Sequence, residues 1–273
     1  MVETPDFLKD AVSRRTFLAR MTAAGLGTAA AALLAGCGGG GNNNSGGSIL
    51  NPTGPTTTFA DNANFPNIPG ASEDVVVLNY ALTLETLEAD LYRQALNIAA
   101  GKDVGTALPA DTSGYTQAVG NGGLDPALAA IGFLYLKQYA GVEAAHRDFL
   151  RAAITQAGAT PVPANPKGYT TGLAPGADLK TILSLIRTVE ETGVTAYLGA
   201  AGFLTSTAFV QIASSIYTTE ARHSAGVNYV LSLPTGPTGD VGGAQPAPGA
   251  KDEFEYAQTP KAVLAGVKPF FIM

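Results

Sequence analysis

The sequence has few of the residues that form cross-links or bind soft metals. It contains 2 histidines, 1 cysteine and no tryptophan in 273 residues. A single cysteine excludes an internal disulfide and any metal site built from several cysteines. The formal net charge is −6, and no basic run is interleaved with aromatic residues, so we expect no nucleic-acid partner. Charged residues make up 14% of the chain, which makes each acidic residue in an apolar segment informative.

The first 37 residues resemble an export signal. Arg14 and Arg15 lie in the stretch SRRTFL, which matches the twin-arginine pattern, and a short apolar stretch rich in Ala and Gly follows. The next residues, LAGC, resemble a lipobox in which Cys37 would be lipidated. The alternative is ordinary cleavage nearby, with Cys37 discarded or left as a free thiol. We therefore expect an extracytoplasmic or periplasmic protein, held at the membrane by a lipid anchor at Cys37 only.

Composition divides the rest of the chain into three parts. Residues 38–70 are mostly Gly, Asn, Ser, Thr and Pro, which predicts a flexible linker. Residues 71–233 form the predicted folded domain. The tail, residues 234–273, is rich in Pro and Gly; Thr259 and Pro260 then predict the start of a short helix that ends near Val267. We expect this tail, with its apolar end at residues 270–272, to pack on the domain.

Four segments of the domain have apolar residues at helical spacing, approximately residues 74–96, 125–156, 178–204 and 207–231. Ser72, Asp125 and Asp178 are the predicted N-caps. The third and fourth helices are separated by about three residues and must be antiparallel neighbours. The other connections are long, and the one before the third helix could run back along the bundle. The prediction is an all-α four-helix bundle with one long crossover between helices 2 and 3, plus extended loops.

Both histidines follow a glutamate by three residues, and both pairs lie in predicted helices. The pairs are Glu143 with His146 and Glu220 with His223. At this spacing the carboxylate and the imidazole project from the same face of a helix. Each pair therefore offers an oxygen and a nitrogen ligand to a metal ion on one side of its helix.

The other two helices each offer two glutamates, so a choice is needed. Glu190 lies on an apolar face of the third helix, whereas Glu191 shares its face with polar residues and is predicted to be solvated. Glu85 is preferred in the first helix, and Glu88 is left as a further ligand or as a partner of the ligands. Gly193 and Gly199 are expected to permit close packing of helices.

Two tyrosines support this choice. Tyr92 follows Glu85 by seven residues, and Tyr197 follows Glu190 by seven residues, so the two hairpins repeat one pattern. We expect both tyrosines to be buried near the site, with hydroxyls that orient the ligand carboxylates. The alternative is that they are core aromatic residues whose hydroxyls find partners elsewhere.

Four stretches together resemble the ferritin-like superfamily: LNYALTLETLEADLY, GVEAAHRDFLRAA, VEETGVTAYLGAA and IYTTEARHSAGV. The resemblance is closer to exported bacterial ferritin-like proteins related to plant desiccation-associated proteins, and it covers about residues 75–231. It implies a centre of two divalent metal ions, iron in the first place and manganese as the alternative. The implied ligands are Glu143 and Glu220 as bridges, His146 and His223 as nitrogen donors, and Glu85 and Glu190 as terminal carboxylates.

The resemblance leaves two functions open. In the first, the protein is a di-iron or di-manganese oxidoreductase whose small-molecule substrate is O2 or H2O2, as in ferroxidases or peroxide-detoxifying relatives. In the second, it is a surface-tethered metal-binding or stress-protective protein in which the metal pair has a structural role. No catalytic residue can be assigned, and a homodimer remains compatible with the sequence.

Overall fold

The computed structural model describes residues 63–235, 245–246 and 255–273, and this part of the chain is almost entirely helical. The all-α prediction is confirmed. The four long helices are α1 Glu73–Ala99, α2 Pro126–Gln156, α3 Leu179–Ala200 and α4 Thr207–Val230. The remaining elements are the 3-10 helices Ala201–Phe203 and Lys268–Phe270, the helix α5 Pro260–Val267, and two short antiparallel strands, β1 Gln245–Pro246 and β2 Tyr256–Ala257.

Side-chain caps fix where the long helices begin. The hydroxyl of Ser72 accepts from the backbone N–H of Val75 at 3.3 Å, and Asp178 accepts from that of Thr181 at 2.8 Å. The Asp125 side chain accepts from the backbone N–H of Ala127 at 2.8 Å, and the next residue after Asp125, Pro126, begins α2. The three predicted caps are confirmed. The third helix ends earlier than predicted because the chain tightens after Ala200 into the 3-10 turn.

The connection between α2 and α3 runs back along α1, as the crossover prediction requires. Near one end of α1, the Asn79 side chain donates to the carbonyl of Thr160 at 3.3 Å and accepts from Val162 at 2.8 Å. Further along, Gln94 donates to the carbonyl of Tyr169 at 2.8 Å. These two α1 positions are about 22 Å apart at 1.5 Å per residue. Buried side-chain amides of α1 thus satisfy the backbone of the crossover.

The short connection between α3 and α4 is held against the start of α1. The backbone N–H and the hydroxyl of Thr205 both donate to the carboxylate of Asp74, at 2.7 and 2.8 Å. Because only residues 204–206 separate the 3-10 turn from α4, α3 and α4 are antiparallel neighbours. This arrangement brings residues at equal distance from the turn, such as Glu190 and Glu220, to the same height.

The linker prediction is wrong at its C-terminal end. Phe65 is 0% exposed and Ile68 is 4% exposed, and both belong to the apolar core that contains Tyr80 and Leu87. The phenyl ring of Phe65 packs edge-on against Tyr80 with ring centres 5.3 Å apart. Two large apolar residues in a polar stretch were the available signal. The packed part of the domain therefore begins before residue 71.

The described part of the tail packs on the domain. Thr259 caps α5 by accepting from Ala262 at 3.3 Å, and Val263 and Val267 of α5 lie in the core. Phe271 stacks edge-on against Tyr169 with ring centres 5.0 Å apart, whereas Ile272 remains 43% exposed. The predicted helix is confirmed, and of the apolar end, Phe270 and Phe271 pack on the core.

The chain divides into two units. One of them consists of Gly54–Thr155 and Ala159–Met273 and contains all the residues of the candidate site. The described residues of the other are Gln156–Gly158. The predicted export signal, Arg14 and Arg15, Cys37 and residues 38–62 of the predicted linker lie outside the described residues. Among the described residues, none of the helices has the length and apolarity needed to cross a membrane.

Candidate metal centre

Six side chains from the four long helices converge inside the bundle. They form two overlapping groups, and within each group the possible ligand atoms all lie within 4.8 Å of one another. The first group is Glu85, Glu143, His146 and Glu220; the second is Glu143, Glu190, Glu220 and His223. The structure thus brings together all six residues that the sequence predicted as ligands. Glu143 and Glu220 belong to both groups, so each of them could be a ligand in both.

Glu143 is placed between the two imidazoles. Its Oε2 lies 2.9 Å from Nδ1 of His146, and its Oε1 lies 2.8 Å from Nδ1 of His223. The two oxygens of this one carboxylate therefore face two histidines, His146 on α2 and His223 on α4. On the outer sides, Nδ1 of His146 lies 3.4 Å from Glu85, and Nδ1 of His223 lies 3.4 Å from Glu190.

The cluster is almost completely shielded from solvent. The side chains of Glu143, Glu190 and Glu220 are 0% exposed, and the largest exposed fraction in the cluster is 14%, at His146. Taking an ionised carboxylate out of water costs several kcal/mol unless other charges compensate. Four buried carboxylates thus require positive charge at the same place.

The polar atoms of the cluster fit a metal pair. Both oxygens of Glu220, one oxygen each of Glu85, Glu143 and Glu190, and Nδ1 of His223 are buried without a hydrogen-bond partner. Nδ1 of His223 and Oε1 of Glu143 lie 2.8 Å apart as an ion pair. Buried oxygen and nitrogen atoms without hydrogen-bond partners need an explanation, and their service as metal ligands supplies one. Four carboxylates balance two divalent cations, and this mixture of carboxylate and imidazole suits Fe(II) or Mn(II).

The pKa values of the carboxylates and histidines in the cluster depend on one another. Burial raises the pKa of Glu220 well above its usual range, and the charges of neighbouring carboxylates raise it further. Burial would also raise the pKa of Glu143, but its contacts with His146 and His223 outweigh burial and lower it to about 2. Burial would lower the pKa of His223, yet the charges of Glu190 and Glu143 raise it to about 10. Groups whose raised pKa values keep them protonated must release those protons in order to bind a metal ion.

Two tyrosines hold the terminal carboxylates across the bundle. Tyr197 of α3 donates to Oε1 of Glu85 of α1 at 2.6 Å, and Tyr92 of α1 donates to Oε1 of Glu190 of α3. Tyr92 is 0% exposed and Tyr197 is 7% exposed. The sequence predicted that both tyrosines are buried and that their hydroxyls donate to candidate ligand carboxylates. It did not predict that each tyrosine reaches the glutamate of the opposite helix.

The sequence reasoning missed Tyr139. Its ring stacks on the imidazole of His223 with ring centres 3.8 Å apart and planes inclined by 19°. The ring of Tyr135 also stacks on that of Tyr139, with ring centres 5.2 Å apart. Gly226 makes the space, because a Cβ there would lie 2.6 Å from the hydroxyl of Tyr139. A signal was available: Tyr139 precedes Glu143 by four residues and so shares its helical face.

Of the two glycines of α3, Gly193 faces the neighbouring helix α4, as predicted, whereas Gly199 faces the tail. A Cβ at Gly193 would lie 2.9 Å from Oε2 of Glu220, so this glycine leaves room for a candidate ligand. A Cβ at Gly199 would lie 1.8 Å from the carbonyl oxygen of Gln258. Gly199 therefore lets the tail, and not another helix, approach α3.

The prediction that Glu191 is solvated is wrong. Glu191 is 0% exposed; it pairs with Arg187 at 2.8 Å and accepts from Asn228 at 3.2 Å. The tail covers this face, since the N–H of Gln258 donates to the carbonyl of Thr195 at 3.1 Å. Glu191 is thus a buried acid with its own partners, outside both ligand groups. Glu88 also lies outside both groups, although it is 4% exposed and burial raises its pKa well above the usual range.

A four-helix bundle with one long crossover, and with a Glu-x-x-His pair on two of its helices, defines a ferritin-like protein. The sequence matches the family described as Ferritin-like domain over residues 73–233, which is more than half of the chain. The chain belongs to this family. No curated protein matches it.

Proposed function

We propose that the protein binds a carboxylate-bridged pair of iron or manganese ions and reacts with O2 or H2O2, as a ferroxidase or a peroxide-detoxifying protein does. The observation that carries this proposal is the placement of Glu143, whose two oxygens face His146 and His223 separately. A carboxylate shared in this way between two ligand groups suits two metal ions and not one. The six ligands are those named above, and iron is the metal that we place first.

When bound, the metal pair would supply the electrons and the Lewis acidity for reduction of the oxidant. The residues of the chain prepare the place for it. Burial of Glu190 and Glu220 excludes water from the ligands, so that electrostatic interactions there are strong. Tyr92 and Tyr197 hold the terminal carboxylates by their hydroxyl protons, which leaves the second oxygen of each carboxylate free to act as a ligand.

We further propose that the protein works outside the cytoplasm. Arg14 and Arg15 would direct export by the twin-arginine route, and a lipid on Cys37 would be the only attachment to the membrane. In this arrangement residues 1–37 are the signal, the following residues up to about 62 are a tether, and the ferritin-like domain and its tail stand free of the membrane. The partners are O2 or H2O2, with no nucleic acid, and a homodimer is compatible with this arrangement.

A second function, structural and not enzymatic, is favoured by the fact that the candidate ligands come from all four long helices. Glu85, Glu143, Glu190 and Glu220 come from four different helices, so a bound metal pair would join all four. In that case the metals would have a structural role in a metal-binding or stress-protective protein without enzymatic activity.

One experiment separates the two functions. The purified full-length chain is made metal-free, loaded with Fe(II) without oxygen, and analysed for bound iron, with two ions per chain expected. O2 or H2O2 is then added and the absorbance followed; a fast change with either supports the redox function. Two bound ions with no response to both oxidants would leave the structural function. Full metal content in the His146→Ala and His223→Ala variants would contradict the ligand set.

A further inference from the structure

A cleft opens on the surface between α1, α3 and the 3-10 helix at the C-terminus. Its rim includes the half-buried residues Thr192 and Phe270, and its free volume of ≈ 20 Å³ holds about one molecule of the size of water. The walls are mostly apolar: Leu84, Leu87, Leu91, Val189 and Val267. Such a cleft has no evident need for a charged group.

Glu88 nevertheless lines this cleft with a carboxylate. The residue is 4% exposed, and its Oε1 is buried without a hydrogen-bond partner. A buried carboxylate with an unsatisfied oxygen costs free energy that a nearby cation offsets. Glu88 lies outside both groups of candidate ligands, so a resident metal pair with four carboxylates does not account for it.

Gly193 connects the cleft to the metal centre. It lines the cleft beside Glu88, and a Cβ on it would lie 2.9 Å from Oε2 of Glu220. The carboxylate of Glu220 is therefore next to the cleft wall at a place where α3 has no side chain. Oε2 of Glu220 is also buried without a hydrogen-bond partner. Two carboxylates with unsatisfied oxygens thus follow one another inward from the rim.

We infer that this cleft is the route by which divalent cations reach the metal centre, and that Glu88 is a transient ligand at its inner end. The inference rests on the proposed function, since it requires a centre that binds metal. A cation that crosses apolar walls must exchange its water ligands for other oxygens. Glu88 supplies the first anionic oxygen and Glu220 the next, and carboxylates are ligands that Fe(II) and Mn(II) accept.

Metal uptake by the metal-free full-length chain tests this route, with Co(II) as the probe and its visible absorption in a stopped-flow instrument as the readout. Glu88→Gln keeps the shape of the side chain and removes its charge. We expect uptake to slow by about tenfold or more, because a charge of opposite sign in a cleft raises association rates by that order. At equilibrium, two Co(II) per chain should still be bound.

Two bulky variants test the cleft itself. Thr192→Trp places a large ring at the rim and should slow uptake, whereas Ser184→Trp, at an exposed position two turns earlier on α3, should not. Uptake at the unmodified rate in both Glu88→Gln and Thr192→Trp would overturn the inference. Loss of one Co(II) at equilibrium in Glu88→Gln would also overturn it, because Glu88 would then be a permanent ligand. If the unmodified chain binds no Co(II), the proposed function fails before the variants are compared.

Discussion

Tyr197 of α3 donates a hydrogen bond of 2.6 Å to Glu85 of α1, although the two residues are 112 positions apart in the sequence. The reciprocal pair, Tyr92 and Glu190, joins the same two helices in the opposite direction. The tyrosine of each of these two helices thus donates to the glutamate of the other. Each hydroxyl fixes one oxygen of a terminal carboxylate and determines where the other oxygen points.

The first prediction concerns these hydroxyls. Tyr197→Phe removes the donor to Glu85 and keeps the ring in the core, so the fold should persist. Metal affinity should fall by roughly 10- to 100-fold, the usual effect of losing a group that orients a ligand. Competition with a chelator of known affinity measures this, and Tyr92→Phe should behave in the same way. Tyr229→Phe, at a position 56% exposed, is the control and should bind as the unmodified protein does.

The second prediction uses Gly193. In Gly193→Ala the three atoms nearest to the new Cβ would all belong to the Glu220 side chain and none to the backbone, so the helix should tolerate the change. Ala is favoured over Gly within a helix by about 0.5–1 kcal/mol. We therefore expect equal or greater stability of the metal-free protein together with weaker metal binding.

Gly141→Ala is the matched control, because a Cβ at Gly141 on α2 meets nothing within 4 Å. This variant should gain similar helix stability and keep its metal affinity. Chemical unfolding of the metal-free proteins and chelator competition give the two quantities. Unchanged affinity in Gly193→Ala would mean that the position of Glu220 does not matter for binding.

The choice of Glu85 and Glu190 was predictable because it rests on local periodicity. An apolar stripe identifies the buried face of a helix, and the repeated spacing to Tyr92 and Tyr197 indicated a pair of equivalent positions. The Glu-x-x-His spacing carried the rest, since it depends only on the geometry of one helix. These are properties of single helices, and the fold then places the helices side by side.

The burial of Glu191 could not be predicted in this way. Its own helix presents it among polar residues, but Asn228 of α4 donates to it and the tail contacts Thr195 one turn further along α3. Phe65 was missed for a related reason, because a polar stretch hides two apolar residues that pack on distant helices. Burial of both residues depends on tertiary contacts and not on local pattern.

The third prediction concerns Tyr139, which stacks on His223. Tyr139→Phe keeps the aromatic ring and should bind two metals with nearly the unmodified affinity. Tyr139→Leu keeps apolar volume and loses the stack, so the His223 ring gains freedom. One of the two metals should then bind about tenfold more weakly, since Tyr139 stacks on His223, which belongs to only one of the two ligand groups. Calorimetric titration with Mn(II) resolves the two sites. Equal weakening of both would contradict a role specific to His223.

The last prediction concerns stability with and without metal. Binding to the folded state alone stabilises a protein by about 2.7 kcal/mol per site at a free metal concentration 100 times the dissociation constant. Addition of a chelator should therefore lower the thermal midpoint. Glu220→Gln should not carry the usual cost of a core mutation, because both oxygens of Glu220 are buried and no hydrogen bond to either of them would be lost. The metal-free variant should be at least as stable as the unmodified metal-free protein, while the gain on adding metal shrinks.

Glu73→Gln, at an exposed position in the first turn of α1, is the control and should keep the full gain from metal. Thermal unfolding of each protein, with metal and with chelator, supplies the comparison. If Glu220→Gln destabilised the metal-free protein as much as an ordinary core mutation does, the buried carboxylates would already be satisfied without cations. The cluster would then be a hydrogen-bonded core and not a metal site. In a metal site, by contrast, removal of one carboxylate charge relieves repulsion among the carboxylates when no metal is bound, and so does not destabilise the fold.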